Sequence, residues 1–250
     1  MAPEEIYTVV CICLVAFLAG FIHSAVGFGF GIVAVTLLPL FVDVRQSHVV
    51  ISTASVPVLL MAAWAFRKGI DWSDLWRALL GAAIFLPIGL LAFEFVSIDL
   101  LCRGTGVAIL LMIWMSFRNR RKALADDSPA KGSPFFAGAF GGFLAGAVSI
   151  AGPPVAAYAL SQRWEQERFK AFLNQFLLAV SAWKVIGLAL RGFISSESLT
   201  QSAILAPMAI VGIQVGAIAS RQLSTRRFQY IVAVALILIA IYFVLRGASN

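Results

Sequence analysis

Three side chains suited to holding an anion fall on one face of a single apolar segment. Asn174, Ser181 and Lys184 lie seven and three residues apart, so on a helix an amide, a hydroxyl and an ammonium share one stripe. A charge near the bilayer centre costs at least about 2.5 kcal/mol and usually marks a cavity or an ion path. The alternative is that Lys184, about two turns before Arg191, snorkels to the headgroups. His23 is a second candidate, because an imidazole titrates near neutral pH and beside a transport site can move a proton with the anion. Its alternative is a hydrogen-bonded packing role. Ser24, Ser52, Thr53 and Gln175 are candidate cavity-wall residues, and Gln214 is expected as the buried amide of its own segment. Small hydroxyls in membrane helices more often bond their own backbone or a neighbour.

Two clusters of helix-weakening residues complete the set: Gly27, Phe28, Gly29, Phe30 and Gly31, then Ser149, Ile150, Ala151, Gly152, Pro153 and Pro154. Glycine costs about 1 kcal/mol in a helix interior and proline about 3, so a break is expected at each. A break inside a membrane frees backbone N–H and C=O groups, and these are tolerated only where protein or a water-filled cavity satisfies them. A helix N-terminus there offers free N–H groups and roughly half a positive charge, which suits an anion. Brought together, the two breaks and the Lys184 stripe would make a central anion site. The alternative is that the glycines only let helices pack closely.

The elements that must position these residues are membrane helices. Of 250 residues, 61% are hydrophobic and 12% charged, about half the charged share of a soluble domain. Residues 6–42, 46–66, 132–162, 198–220 and 228–245 carry no Asp, Glu, Lys or Arg. Each run is long enough, or nearly so, to cross a bilayer, for which about 20 apolar residues suffice. Residues 78–93, 100–117 and 169–190 read as further spans, the last interrupted by Lys184. The fold class is therefore an all-α polytopic membrane protein. The net charge of +7 sits in short loops between apolar runs, where it orients helices, so nucleic acid is not an expected partner. Cys11, Cys13 and Cys102 show no metal-ligand spacing and read as packing residues. Glu4 and Glu5 precede the first run in place of a basic leader, so that run is expected to be retained. No catalytic set, cofactor motif or phosphate-binding loop is present, which argues against an enzyme or an ATP-driven pump.

The chain divides into residues 1–117, a charged linker at 118–133 expected on the cytoplasmic side, and residues 134–250. Gly20, Phe21, Ala25 and Val26 align without a gap on Gly142, Phe143, Ala147 and Val148, at an offset of 122. Lys68-Gly69 can face Arg191-Gly192, and Ile88-Gly89 can face Val215-Gly216, with small drifts in register. The halves thus read as an internal duplication. Each opens on an apolar stretch of more than 30 residues broken near its middle, either one overlong kinked span or a helical hairpin that enters and returns. Basic residues choose between these. Single crossings distribute Lys and Arg 10 to 8, whereas hairpins put 67–77, 118–131, 163–170 and 221–227 on one side with 14, against Arg45, Arg103, Arg191 and Arg246. The second split obeys the positive-inside rule. A hairpin plus three crossings is odd, so the copies must be inverted.

The pattern Gly-Phe-x-x-Ser/Gly-Ala-Val followed by a glycine- or proline-rich break, once in each half, resembles the sulfite exporter TauE/SafE family of anion permeases. The resemblance runs from about residue 10 to 245 and implies transport of sulfite, sulfonates or other small organic anions across a bacterial inner membrane. The family's more usual first break is Gly-x-Gly-Gly-Gly. Here Phe28 and Phe30 intervene, so substrate size is not carried over. The expected function is secondary transport of a small sulfur-containing or organic anion by alternating access with proton coupling. A passive anion channel and a structural or assembly subunit of a membrane complex are the alternatives. The expected partners are a small anionic substrate and the lipid bilayer, with self-association as a homo-oligomer left open.

Overall fold

The computed structural model describes residues 3–97, 99–100, 103–104, 106–107, 110, 114, 132–162, 164–220 and 224–246. Most of the span expected over 100–117, Cys102 and residues 118–131 of the expected linker lie outside the described residues. In chain order the helices are α1 (Pro3–Val26), α2 (Phe30–Leu37), α3 (Val44–Ala65), α4 (Trp72–Phe95), α5 (Pro134–Val148), α6 (Gly152–Ser161), α7 (Gln166–Leu190), α8 (Ser196–Ser220) and α9 (Thr225–Arg246). Among the described residues there is no strand. Among the described residues five helices, α1, α3, α4, α7 and α8, are long and apolar enough to cross a membrane.

Local chemistry sets the helix ends. Asp43 caps α3 by accepting the Arg45 and Gln46 amides at 2.9 and 3.0 Å, and Asp71 caps α4 by accepting the Ser73 and Asp74 amides at 3.0 and 3.5 Å. Both opening stretches are broken into two helices, and the second folds back on itself, with Gly141 against Val155 and Gly132 against Tyr158. They differ in proportion: the first pairs the 24-residue α1 with the eight-residue α2, the second a 15-residue α5 with a 10-residue α6.

Each opening helix sits on a helix from the other half. A Cβ on Gly20 of α1 would lie 2.0 Å from the Ala209 carbonyl oxygen of α8, and one on Gly142 of α5 would lie 2.5 Å from the Ala82 Cα of α4. The seats are repeated seven residues, about two turns, further along α8 and α4. Gly216 of α8 faces the Phe21 carbonyl, and Gly89 of α4 faces the Phe143 carbonyl. Only glycine admits backbones this close, and in a membrane such contact is a main source of helix association. The successive contacts Phe17 to Gly212 and Phe21 to Gly216 make α1 and α8 parallel, and Ala78 to Gly138 and Ala82 to Gly142 make α4 and α5 parallel.

Polar contacts fix the remaining directions. Arg168 pairs with Asp71 at 2.6 Å, and Arg191 pairs with Glu94, so α4 and α7 run parallel and are tied at both ends. Gln46 donates to Glu197 at 2.9 Å, and the Thr53 and Ser202 hydroxyls meet at 2.5 Å, so α3 and α8 run parallel. In contrast α3 and α7 are antiparallel: Gln175 near the start of α7 donates to the Ala63 carbonyl near the end of α3 at 3.1 Å. The ends of α3, α6 and α8 and the starts of α4, α7 and α9 therefore lie together, with Gln166 donating to the Ser220 carbonyl at 3.1 Å.

Candidate functional site

The breaks meet in the middle of this bundle. Gly27 ends α1 with its amide on the His23 carbonyl at 2.7 Å and φ +97°, a conformation that favours glycine. Ser149, at the offset-equivalent place, ends α5 with φ 61°, its amide on the Ala145 carbonyl at 3.2 Å and the Ile150 amide on the Leu144 carbonyl at 3.3 Å. It is the one non-glycine residue among those described to hold a positive φ, a strain of order 1–3 kcal/mol that surrounding contacts must hold in place. The breaks also interlock. A Cβ on Gly31 would stand 2.5 Å from the Ser149 carbonyl oxygen, and one on Gly152 would stand 3.0 Å from Phe28 Cβ.

Between them is a cavity of about 50 Å³, room for a few waters or a small oxyanion. The sequence-derived candidates on its wall are His23, Gly29, Phe30, Gly31, Ser52, Ser149, Ile150, Ala151, Gly152, Ser181 and Lys184. Both α2 and α6 start there, with Gly29 and Ala151 at their N-caps. Lys184 is 5% exposed and its ammonium donates to the Ser149 hydroxyl at 2.6 Å. It reaches the break between α5 and α6, not the headgroup region. On the wall, Ser52 spends its hydroxyl hydrogen on the His48 carbonyl at 2.6 Å.

Other candidates lie elsewhere. Gly27, Phe28, Pro153 and Asn174 are one layer back from the cavity: Phe28 is buried against Gly152, and Asn174 holds the wall residue His23 from behind, Oδ1 to Nε2, at 2.8 Å. The Phe30 amide reaches His23 Nδ1 at 3.5 Å, so both imidazole nitrogens of His23 are engaged by the scaffold. Ser24 is buried away from the cavity, its carbonyl accepting from Lys170 at 2.6 Å. Thr53 and Gln175 tie α3 to α8 and α7 to α3 respectively. Gln214 is exposed, which corrects the expectation of a buried amide: the buried face of α8 at this level is carried by Gly212, Ile213 and Gly216, seated on α1.

Two buried groups were not singled out as site candidates. Lys170, counted with a basic loop, is 1% exposed in the first turns of α7 and donates to the Ser24 carbonyl and, at 2.7 Å, to Ser220 Oγ. Removing it from the loops changes the basic distribution from 14 to 13 against 4, and the bias survives. His48 is 2% exposed, with Nδ1 at 3.0 Å from Ser149 Oγ and its ring 5.6 Å from that of Phe93. Its position inside a charge-free run was the available signal, equal in kind to the one that marked His23.

A bundle of apolar helices, two of them broken around a cavity that holds a buried ammonium, defines an integral membrane protein of the transporter class. The chain belongs to the sulfite exporter TauE/SafE family, whose profile matches residues 12–243. No curated protein and no solved structure matches it significantly.

Proposed function

We propose that the chain is a secondary permease of a bacterial inner membrane for a small sulfur-containing or organic anion such as sulfite, a sulfonate or a carboxylate. It works by alternating access, with proton coupling, about two inverted repeats at 1–117 and 134–250 joined by a cytoplasmic linker at 118–133. The carrying observation is the buried Lys184 ammonium, aimed at Ser149 in a cavity where α2 and α6 both begin. An anion entering there meets a cation and the free backbone N–H groups at the start of α2, the donors that suit it. The inverted arrangement is supported by the antiparallel course of α3 and α7, which occupy equivalent places in the two halves, and by the reciprocal seats of α1 on α8 and α5 on α4.

Purified chain in proteoliposomes, supplied with sulfite, taurine, isethionate, sulfoacetate or acetate, tests the reading. Lys184→Ala should reduce uptake strongly with folding near normal, because removing a lone intramembrane charge relieves a desolvation cost. Lys184→Arg should retain part of the activity, since charge persists in a different donor shape. Normal transport by Lys184→Ala would overturn the site. Single cysteines at Thr225 and Ser196 test the orientation: the first should be labelled only from the cytoplasm and the second only from outside.

A further inference from the structure

We propose that a proton relay runs from Lys184 through Ser149 to His48, and that His48, not His23, is the imidazole that couples the transport cycle to protons. This rests on the permease reading above. The three groups are contiguous, with Lys184 Nζ to Ser149 Oγ at 2.6 Å and Ser149 Oγ to His48 Nδ1 at 3.0 Å. An ammonium has only donors, so the Ser149 oxygen accepts from Lys184 and its own hydrogen is left to donate to Nδ1. That assigns the remaining proton of His48 to Nε2, a buried nitrogen with no hydrogen-bond partner. His48 is thus an imidazole with one nitrogen on the cavity's serine and the other spare. His23 is the opposite case, since Asn174 holds Nε2 and the Phe30 amide holds Nδ1, and Asn174 is itself anchored through its amide on the Lys170 carbonyl at 2.7 Å.

The hop balances. One Lys184 N–H bond breaks as an O–H bond forms on Ser149, and the original Ser149 O–H bond breaks as an N–H bond forms at His48 Nδ1. One positive charge moves from lysine to imidazole. His48 then gives its Nε2 proton to water; that nitrogen is buried without an acceptor in this conformation, so the transfer belongs to a conformation of the cycle that admits water beside it. An anion arriving at Lys184 holds the charge on the ammonium, and departure of the anion frees it to move toward His48, so anion and proton occupancy are linked through one hydroxyl. The positive φ of Ser149 keeps that hydroxyl between the two nitrogen groups.

Among the described residues the surrounding charges are engaged elsewhere. At this end of the bundle Arg45 of α3 lies over the Phe93 ring at 5.7 Å, Glu94 of α4 pairs with Arg191 at the end of α7, and Glu197 of α8 accepts from Gln46. Neither α2 nor α5 has a titratable side chain, α6 has Tyr158 on Asp74 at 3.3 Å, and the other titratable groups of the inner bundle among the described residues are His23 of α1, Lys170 at the far end of α7 and Tyr242 of α9, which packs against the core.

Two measurements test this on the full-length chain. The sequence has only two histidines, so ¹⁵N-histidine NMR in detergent reads both directly. His48 should appear as the Nε2–H tautomer, and both Ser149→Ala and Lys184→Met should shift its titration while leaving that of His23 in place. Unmoved His48 signals in both variants would overturn the relay whether or not the chain transports sulfite. In proteoliposomes, sulfite accumulation driven by an inward proton gradient should be lost in His48→Gln, while sulfite counterflow without a gradient remains measurable. Gradient-driven accumulation at the wild-type level in His48→Gln would overturn the coupling role. Absence of sulfite counterflow in the wild type would instead count against sulfite as the anion and leave the NMR result to decide the relay.

Discussion

The two breaks make the same bend with different chemistry. The first uses glycine: Gly27 and Gly29 take φ of +97° and +120°, and the amides of Gly31 and Ile32 in the first turn of α2 stay free of helical partners. The second reaches positive φ with a serine and starts α6 on Pro153 and Pro154, which carry no N–H. One break therefore presents backbone donors and lets another backbone approach. The other gives up donors for a hydroxyl in a fixed place. The two breaks thus divide the work between an electropositive helix start and a side chain that orients the Lys184 ammonium.

The largest expected effect tests how the breaks touch. Gly31→Val drives a side chain into the Ser149 carbonyl, a backbone atom that cannot rotate away. It should cost about 3 kcal/mol, the upper part of the range for overpacking, seen as a lowered melting temperature in detergent together with lost uptake. Gly152→Val meets the Phe28 side chain instead and should cost about half as much. Equal losses would mean that the breaks are not rigidly interlocked.

A smaller contrast concerns backbone strain. Gly27→Ala should destabilise by about 1–2 kcal/mol, because φ +97° is poor for any residue with a Cβ. Ser149→Gly relieves that strain but strips the buried Lys184 ammonium and His48 Nδ1 of their hydroxyl partner, so the two effects should offset to within about 1 kcal/mol in melting while anion binding measured by thermal shift with sulfite weakens. Matching losses of stability at the two sites would remove the distinction between them. The smallest effect is Pro154→Ala, which should lower stability by at most about 1 kcal/mol by loosening the unfolded chain.

Much of this was legible because a membrane leaves few options. Charge-free runs, the offset of 122 and the glycine-proline clusters are local patterns, and they located the helices and both breaks. Helical spacing put Asn174, Ser181 and Lys184 on one stripe; Ser181 and Lys184 line the cavity, whereas Asn174 lies one layer back on His23. The failures share a cause, which is that burial depends on a partner helix the sequence does not name. Gln214 looked buried because its segment is apolar, yet the face toward α1 is the one bearing Gly212 and Gly216. Lys170 looked like a loop residue because Arg163, Arg168 and Gln166 surround it, yet α7 begins at Gln166 and turns it inward onto Ser24 and Ser220. His48 acquired its meaning only when Ser149, 101 residues away, was folded against it.

The crossed seating of the opening helices bears on how the protein is made. When α5 leaves the ribosome, its partner α4 is already synthesised, and the glycine face of α5 can close on Ala78 and Ala82 at once. For α1 the order is reversed: Gly20 rests on Ala209, 189 residues later in the chain. At the usual 5–20 residues per second the interval is about 10–40 s, during which the small-residue face of α1 has only lipid or an insertion factor to lie against. Helix α1 is thus made long before the surface that seats it, so an interruption of synthesis between α1 and α8 leaves it without its final partner.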